Sequence, residues 1–190
     1  MKRFLLFWAA CLPLAAEEMA VNLNSARSSI AFTLGAALHT VHGSFKLKRG
    51  SMHFDTETGH AGGEIVVDAS SGVTGIADRD KRMRKDVLET DRFPEISFLP
   101  DRVAGGLLPS AESPIDLHGV FQILGARHEM TLHFLVRNQN GGVTAASDFT
   151  IPYIDWGLKN PSTFLLKVSA TVQVRILAAG SIARVSNAEP

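Results

Sequence analysis

The sequence predicts an all-β domain, an antiparallel sandwich or barrel interrupted by one short helix. Three observations carry this. Apolar and polar residues alternate with period 2 along most of the chain. The alternating runs are separated by turn chemistry (KRGSM, DTETGHAGG, AGGLLPSAESP, ILGARHE, RNQNGGV) at hairpin-like spacing. Finally, no helices alternate with the strands, which argues against a parallel α/β sheet.

The elements follow in order. MKRFLLFWAACLPLAAEE opens with Lys2 and Arg3, an apolar run from Phe4 to Leu14, and then small residues. That is the pattern of a secretory signal peptide over 1–16, and the apolar run is too short to span a bilayer. Cys11, the one cysteine, lies inside this leader, so the mature chain is expected to form no internal disulfide. WAAC faintly resembles a lipoprotein acylation box, but Trp8 fits it poorly, so ordinary cleavage and export to the periplasm or exterior is favoured. A strand is expected at Ile30–Leu34. VHGSFKLKR puts Val41, Gly43, Phe45 and Leu47 on one face and His42, Ser44, Lys46 and Lys48 on the other. Further strands are expected at Met52–Phe54, Glu64–Ala69, Glu95–Leu99, Leu117–Leu124, MTLHFLV (130–136), Val143–Ile151 and LKVSATVQVRI (166–176). After Leu177 the pattern fades, and 178–190 reads as a flexible tail.

The exception is RDKRMRKDVLETDRFPEISFLP (79–100). Ile76, Met83, Val87 and Leu88 recur at helical spacing, and Asp78 and Asp80 precede Lys81, Arg82, Arg84 and Lys85, which suits the helix dipole. Pro94 returns the chain to an extended form. A short helix near residues 77–90 is expected to rest on the β-structure, where it can cap one end of a barrel.

Composition excludes some functions. Nineteen basic and nineteen acidic residues cancel, and there is no basic stripe interleaved with aromatics, so a nucleic-acid partner is not expected. G-x-S-x-G, a phosphate-binding glycine loop and H-E-x-x-H are absent from the sequence. Asp78, Asp80, Asp86 and Glu89 sit among arginines and lysines that solvate them. The chain reads as a binder rather than an enzyme, with no cofactor. The weak metal or haem candidates are His39, His42 and His128, but a spacing of three along a strand sends His39 and His42 to opposite faces.

Taken together, VHGSF (41–45), GSMHFD (50–55), GEIVVDASSGVTG (63–75), RDKRMRKDVLETDRFPEISF (79–98), LHGVFQILGARHEMTL (117–132) and DWGL (155–158) resemble the YceI-like family of secreted, polyisoprenoid-binding proteins. The resemblance spans about residues 20–177. It implies an eight-stranded antiparallel, lipocalin-like barrel that holds or carries a long apolar lipid, a polyisoprenoid or an isoprenoid quinone, in the bacterial envelope. Such a protein is compatible with transient membrane contact. Phe32, Phe45, Phe54, Phe98, Phe121, Phe149 and Trp156 would supply the apolar wall, while Gly43 and Gly119 would leave room in the lumen. Arg79, Arg82, Lys159 and Asn160 are candidates to meet a polar head group. The competing expectation is an accessory protein of a membrane redox or envelope system, its barrel filled and its surface doing the binding.

Overall fold

The computed structural model describes residues 17–36, 40–108, 111–162 and 167–185. The leader expected over 1–16, with Cys11, and the candidate ligand His39 lie outside these residues.

The strands are β1 (Glu18–Leu23), β2 (Ser29–Leu34), β3 (Val41–Asp55), β4 (Ala61–Val73), β5 (Glu95–Ala104), β6 (Glu112–Ile123), β7 (Ala126–Gln139), β8 (Gly142–Ile151) and β9 (Val172–Arg184). Every pairing is antiparallel, and the sheet closes on itself through β3–β4 and through β1 and β2 against β9. β1 and β2 are two halves of one stave. β1 lies against 51–55 of β3 and 180–184 of β9, and β2 lies against 41–45 and 173–177. The result is the eight-staved antiparallel barrel that the sequence implies.

Local chemistry explains the break in the first stave. Asn24 Oδ1 accepts from the backbone N–H of Ala26 (3.0 Å) and Arg27 (3.1 Å) and caps a 3₁₀ turn at Ser25–Arg27. Ser28 Oγ then accepts from Ala179 N at 3.1 Å, which keeps the interrupted stave tied to β9. Two hairpins turn through left-handed pairs, Leu124–Gly125 and Asn140–Gly141. Asn-Gly is the sequence signal for such a turn. Register shifts between Ser44 and Lys46, between Leu47 and Arg49, and at Pro100–Arg102 bend β3 and β5 round the barrel.

Residues from 178 onward, read in sequence as a tail, continue strand β9 to Arg184. Ala178, Ala179 and Gly180 have no apolar–polar contrast to betray a strand, yet they pair with Ala145, Thr144 and Val143 of β8. At Gly180 an added Cβ would lie 2.2 Å from the carbonyl oxygen of Asn22 in β1. The absent side chain lets β9 bond both neighbours. In contrast, Val168 makes only an isolated bridge, to Ala36.

The charged segment is helical, as expected. An α-helix, α1 (Ala77–Arg82), runs into a π-helical turn at Met83–Val87. Met83, Val87 and Leu88 pack inward. Ile76 does not share that face. It sits in extended backbone at the helix N-cap and is 53% exposed.

Candidate lipid-binding lumen

The alternation read in the sequence becomes, in a closed barrel, an inward and an outward face. On β8, Val143, Ala145, Phe149 and Ile151 line the interior, while Asp148 faces outward and its Oδ1 accepts from Arg175 Nε at 2.7 Å. On β9, Val172, Val174, Ile176, Ala178 and Ile182 point in.

The interior holds two chambers. The helix-side chamber has a volume of about 460 Å³ and is walled by apolar side chains including Ile30, Phe32, Phe45, Phe121, Phe149 and Leu158. The far chamber, about 430 Å³, is lined by Val21, Met52, Phe54, Ile115, Phe134 and Ile182 among others. Both are within the range of about 300–1,000 Å³ usual for small-molecule sites. Between them Phe98, Leu117 and Leu132 are buried, with Phe121, Phe134 and Phe149 packed against them.

Two elements border the helix-side chamber. The first is the helical segment, whose Asp78, Arg79, Arg82, Met83, Val87 and Leu88 face it. Buried Asp80 anchors this segment: its Oδ1 accepts from Thr74 N (2.8 Å) and from Thr74 Oγ1 (2.5 Å). Arg79 Nε donates to Thr74 Oγ1 (2.7 Å) and Arg84 to the Gly72 carbonyl (3.1 Å). The helix therefore hangs from the end of β4 by its own charged side chains. The second element is the strap after β8. Its Tyr153 is buried and donates its hydroxyl proton to the Ser169 carbonyl at 2.7 Å, and burial pushes the phenol pKa up. Trp156 stacks on His128 with ring centroids 4.0 Å apart and planes 6° from parallel, and packs tilted against Phe121 at 5.5 Å.

The aromatic residues singled out from sequence are therefore distributed rather than gathered in one wall. Phe32, Phe45, Phe121 and Phe149 line the helix-side chamber and Phe54 the far one, while Phe98 belongs to the divide. Trp156 lies behind Phe121 and pins the strap. Among the head-group candidates, Arg79 and Arg82 border the helix-side chamber. Lys159 and Asn160 are exposed outside the chamber lining, and Asn160 Oδ1 accepts from Ser162 N at 2.9 Å.

Gly43 and Gly119 do not open the lumen. A Cβ at Gly43 would lie 2.3 Å from Phe32 Cζ, so the phenyl ring already takes that space, tilted against Phe45 at 5.3 Å. A Cβ at Gly119 would lie 2.3 Å from the Leu99 carbonyl oxygen, so this glycine serves close strand approach at the β5 bulge.

His42 is exposed, with Nδ1 3.2 Å from Thr33 Oγ1, and His128 is stacked on Trp156. Among the described residues no three histidine, cysteine or carboxylate side chains are grouped to hold a metal.

Sequence reasoning missed Tyr153 and Leu158, the buried residues of the strap, and Ser147. The signal for Ser147 was present: it is the one hydroxyl in the inward series Val143, Ala145, Ser147, Phe149, Ile151 of β8.

The profile of the YceI-like domain matches residues 22–179. Among solved structures, the barrel is similar to a polyisoprenoid-binding domain from Saccharophagus degradans implicated in plant cell wall breakdown, with 17% identity, a TM-score of 0.67 and coverage of 86% of this chain and 98% of that one. It is also similar to BcnA of Burkholderia cenocepacia (15% identity, TM-score 0.66, coverage 85% and 99%) and to the YceI protein of Campylobacter jejuni (14%, 0.58, 79% and 88%). No curated protein matches the chain.

Proposed function

The chain belongs to the YceI-like family, and on that premise we propose that it binds a long apolar lipid, a polyisoprenoid or an isoprenoid quinone, inside its barrel, sequestering or carrying it in the bacterial envelope. The observation that carries this reading is the pair of apolar chambers of about 460 and 430 Å³ within a closed barrel. The mechanism is burial: each methylene withdrawn from water contributes about 0.8 kcal/mol, so a prenyl chain is held without any reacting group. The similarity to a polyisoprenoid-binding domain supports the same class of ligand. Arg79 and Arg82 at the helix-side opening are placed to meet a polar end left there, and movement of the helix or the strap lets the chain in and out. The leader pattern of the sequence supports a mature protein in the periplasm or outside the cell. The two internal apolar chambers favour this reading over a barrel whose surface alone does the binding.

Native mass spectrometry of protein purified from its own envelope fraction tests this. The expected result is a discrete co-purifying lipid mass, absent from a folded Phe121→Asp variant. Bare protein that stays bare after incubation with prenyl quinones and prenyl phosphates overturns the reading. The same spectrum distinguishes a chain starting near Glu17 from one lipidated at Cys11.

A further inference from the structure

The divide between the two chambers contains a polar group that none of the described residues satisfies. Ser147 is 4% exposed, and its Oγ has no hydrogen-bond partner among the described residues. Other buried serine hydroxyls are paired: Ser97 donates to Gln122 Oε1 (3.2 Å), and Ser113 accepts from Leu108 N (2.8 Å). A buried hydroxyl without a partner is unfavourable unless something else supplies the bond.

Its position says what could supply it. Along β8, Val143 and Ala145 line the far chamber while Phe149 and Ile151 line the helix-side one, and Ser147 falls between them on the same inward face. Its cross-strand partner Ile176 lines the helix-side chamber, and the next inward residue of β9, Ala178, lines the far one. Ser147 therefore stands at the level where a chain passing from one chamber to the other must cross. The cluster at that level sets Phe98, Phe134 and Phe149 beside the aliphatic Leu117 and Leu132. Aromatic faces favour a flat conjugated ring, and a lone hydroxyl among them favours an acceptor oxygen on it.

We propose that Ser147 is a specificity-determining residue: when the aromatic side chains of the divide part, its hydroxyl donates to a carbonyl oxygen of a ring-bearing lipid seated between the chambers, with the apolar chain filling one of them. The inference rests on the lipid-binding reading and narrows it to neutral, carbonyl-bearing lipids over hydrocarbons and prenyl phosphates. Hydrogen bonding to a buried donor discriminates strongly because the analogue lacking oxygen leaves that donor unpaired.

The test uses a matched pair of ligands on the delipidated full-length mature protein: a farnesyl-substituted benzoquinone and the farnesyl-substituted benzene that lacks its oxygens. Titrations followed by tryptophan fluorescence or calorimetry are run on the wild type and on Ser147→Ala. The wild type is expected to prefer the quinone by about tenfold, the worth of one net hydrogen bond. In Ser147→Ala that preference falls to near unity, while the benzene analogue binds as tightly as before. An unchanged preference in Ser147→Ala, with both ligands bound, overturns the role of Ser147 and leaves the lipid-binding reading standing. Failure of the wild type to bind either ligand, or a prenyl phosphate of the same length, overturns both.

Discussion

Glu95 shows how the outer face contributes to the barrel. Its carboxylate meets Arg49 Nη1 at 2.9 Å and Lys48 Nζ at 2.8 Å, and Arg49 also reaches Glu64 at 2.8 Å. Hydrogen bonds from Arg49 first, and then from Lys48, hold the Glu95 pKa at about 2, well below the ordinary value near 4.5. Because the folded pKa is depressed, the stabilisation is complete above the unfolded value and is lost as pH falls from about 4.5 towards 2. Urea midpoints of the wild type and Glu95→Gln are therefore expected to differ by a constant amount above about pH 5 and to converge below pH 4.5; a gap that stays constant down to pH 2 contradicts the coupling. Asp55, at the rim of the far chamber, is likewise held below its ordinary range, chiefly by the Thr58 N–H and then by the Thr58 hydroxyl. It is a turn-forming group, with Oδ1 accepting from Thr58 N (2.7 Å), Thr58 Oγ1 (2.9 Å) and Glu57 N (2.9 Å).

The helical segment borders the helix-side chamber. A single six-residue helix is too short to be stable by itself. Its first turn lacks a side-chain cap, and its attachment is made instead by Asp80 and Arg79 to Thr74 and by Arg84 to Gly72. Removing the Asp80 carboxylate leaves Thr74 N–H and Oγ1 without that acceptor, and hydrogen bonds to a charged group are worth about 1.5–3 kcal/mol. Asp80→Ala is expected to lower stability by about 1.5–3 kcal/mol in chemical denaturation. It is also expected to raise amide hydrogen exchange across 77–88 more than in β6 or β7. Uniform loss of protection would show that Asp80 supports the whole barrel rather than the helix. On the opposite border, the Tyr153 hydroxyl bond and the His128–Trp156 stack fix the strap.

At the scale of the whole molecule, a barrel with two internal apolar chambers carries unfilled space that a ligand can occupy only in the folded state. Binding to the native state alone raises stability by RT ln(1 + [L]/Kd), about 2.7 kcal/mol at one hundred times Kd. Differential scanning calorimetry of delipidated protein is expected to show a melting temperature that climbs with added prenyl quinone and does not saturate at one equivalent. A melting temperature indifferent to lipid would mean that the chambers stay empty. On the outer surface, Arg175–Asp148, Arg137–Glu112 and the Arg49 cluster pair charges across strands.

The sequence by itself determined most of the strands, the helical insertion and the family, because period-2 alternation, turn residues and helical spacing are local features of the chain. Phe32, Phe45, Phe121 and Phe149, named from the family resemblance, line the helix-side chamber. Only the tertiary structure decided that Phe98 joins a divide, that Trp156 stacks on His128, and that Gly43 makes room for Phe32 rather than for a ligand. The same holds for the extension of β9 to Arg184 through Ala178, Ala179 and Gly180, and for Ser147 having no partner among the described residues. Each of these depends on which side chains from distant staves meet at one height in the barrel. That height is set by strand register and closure, which link residues far apart in the chain and leave no periodic trace in it.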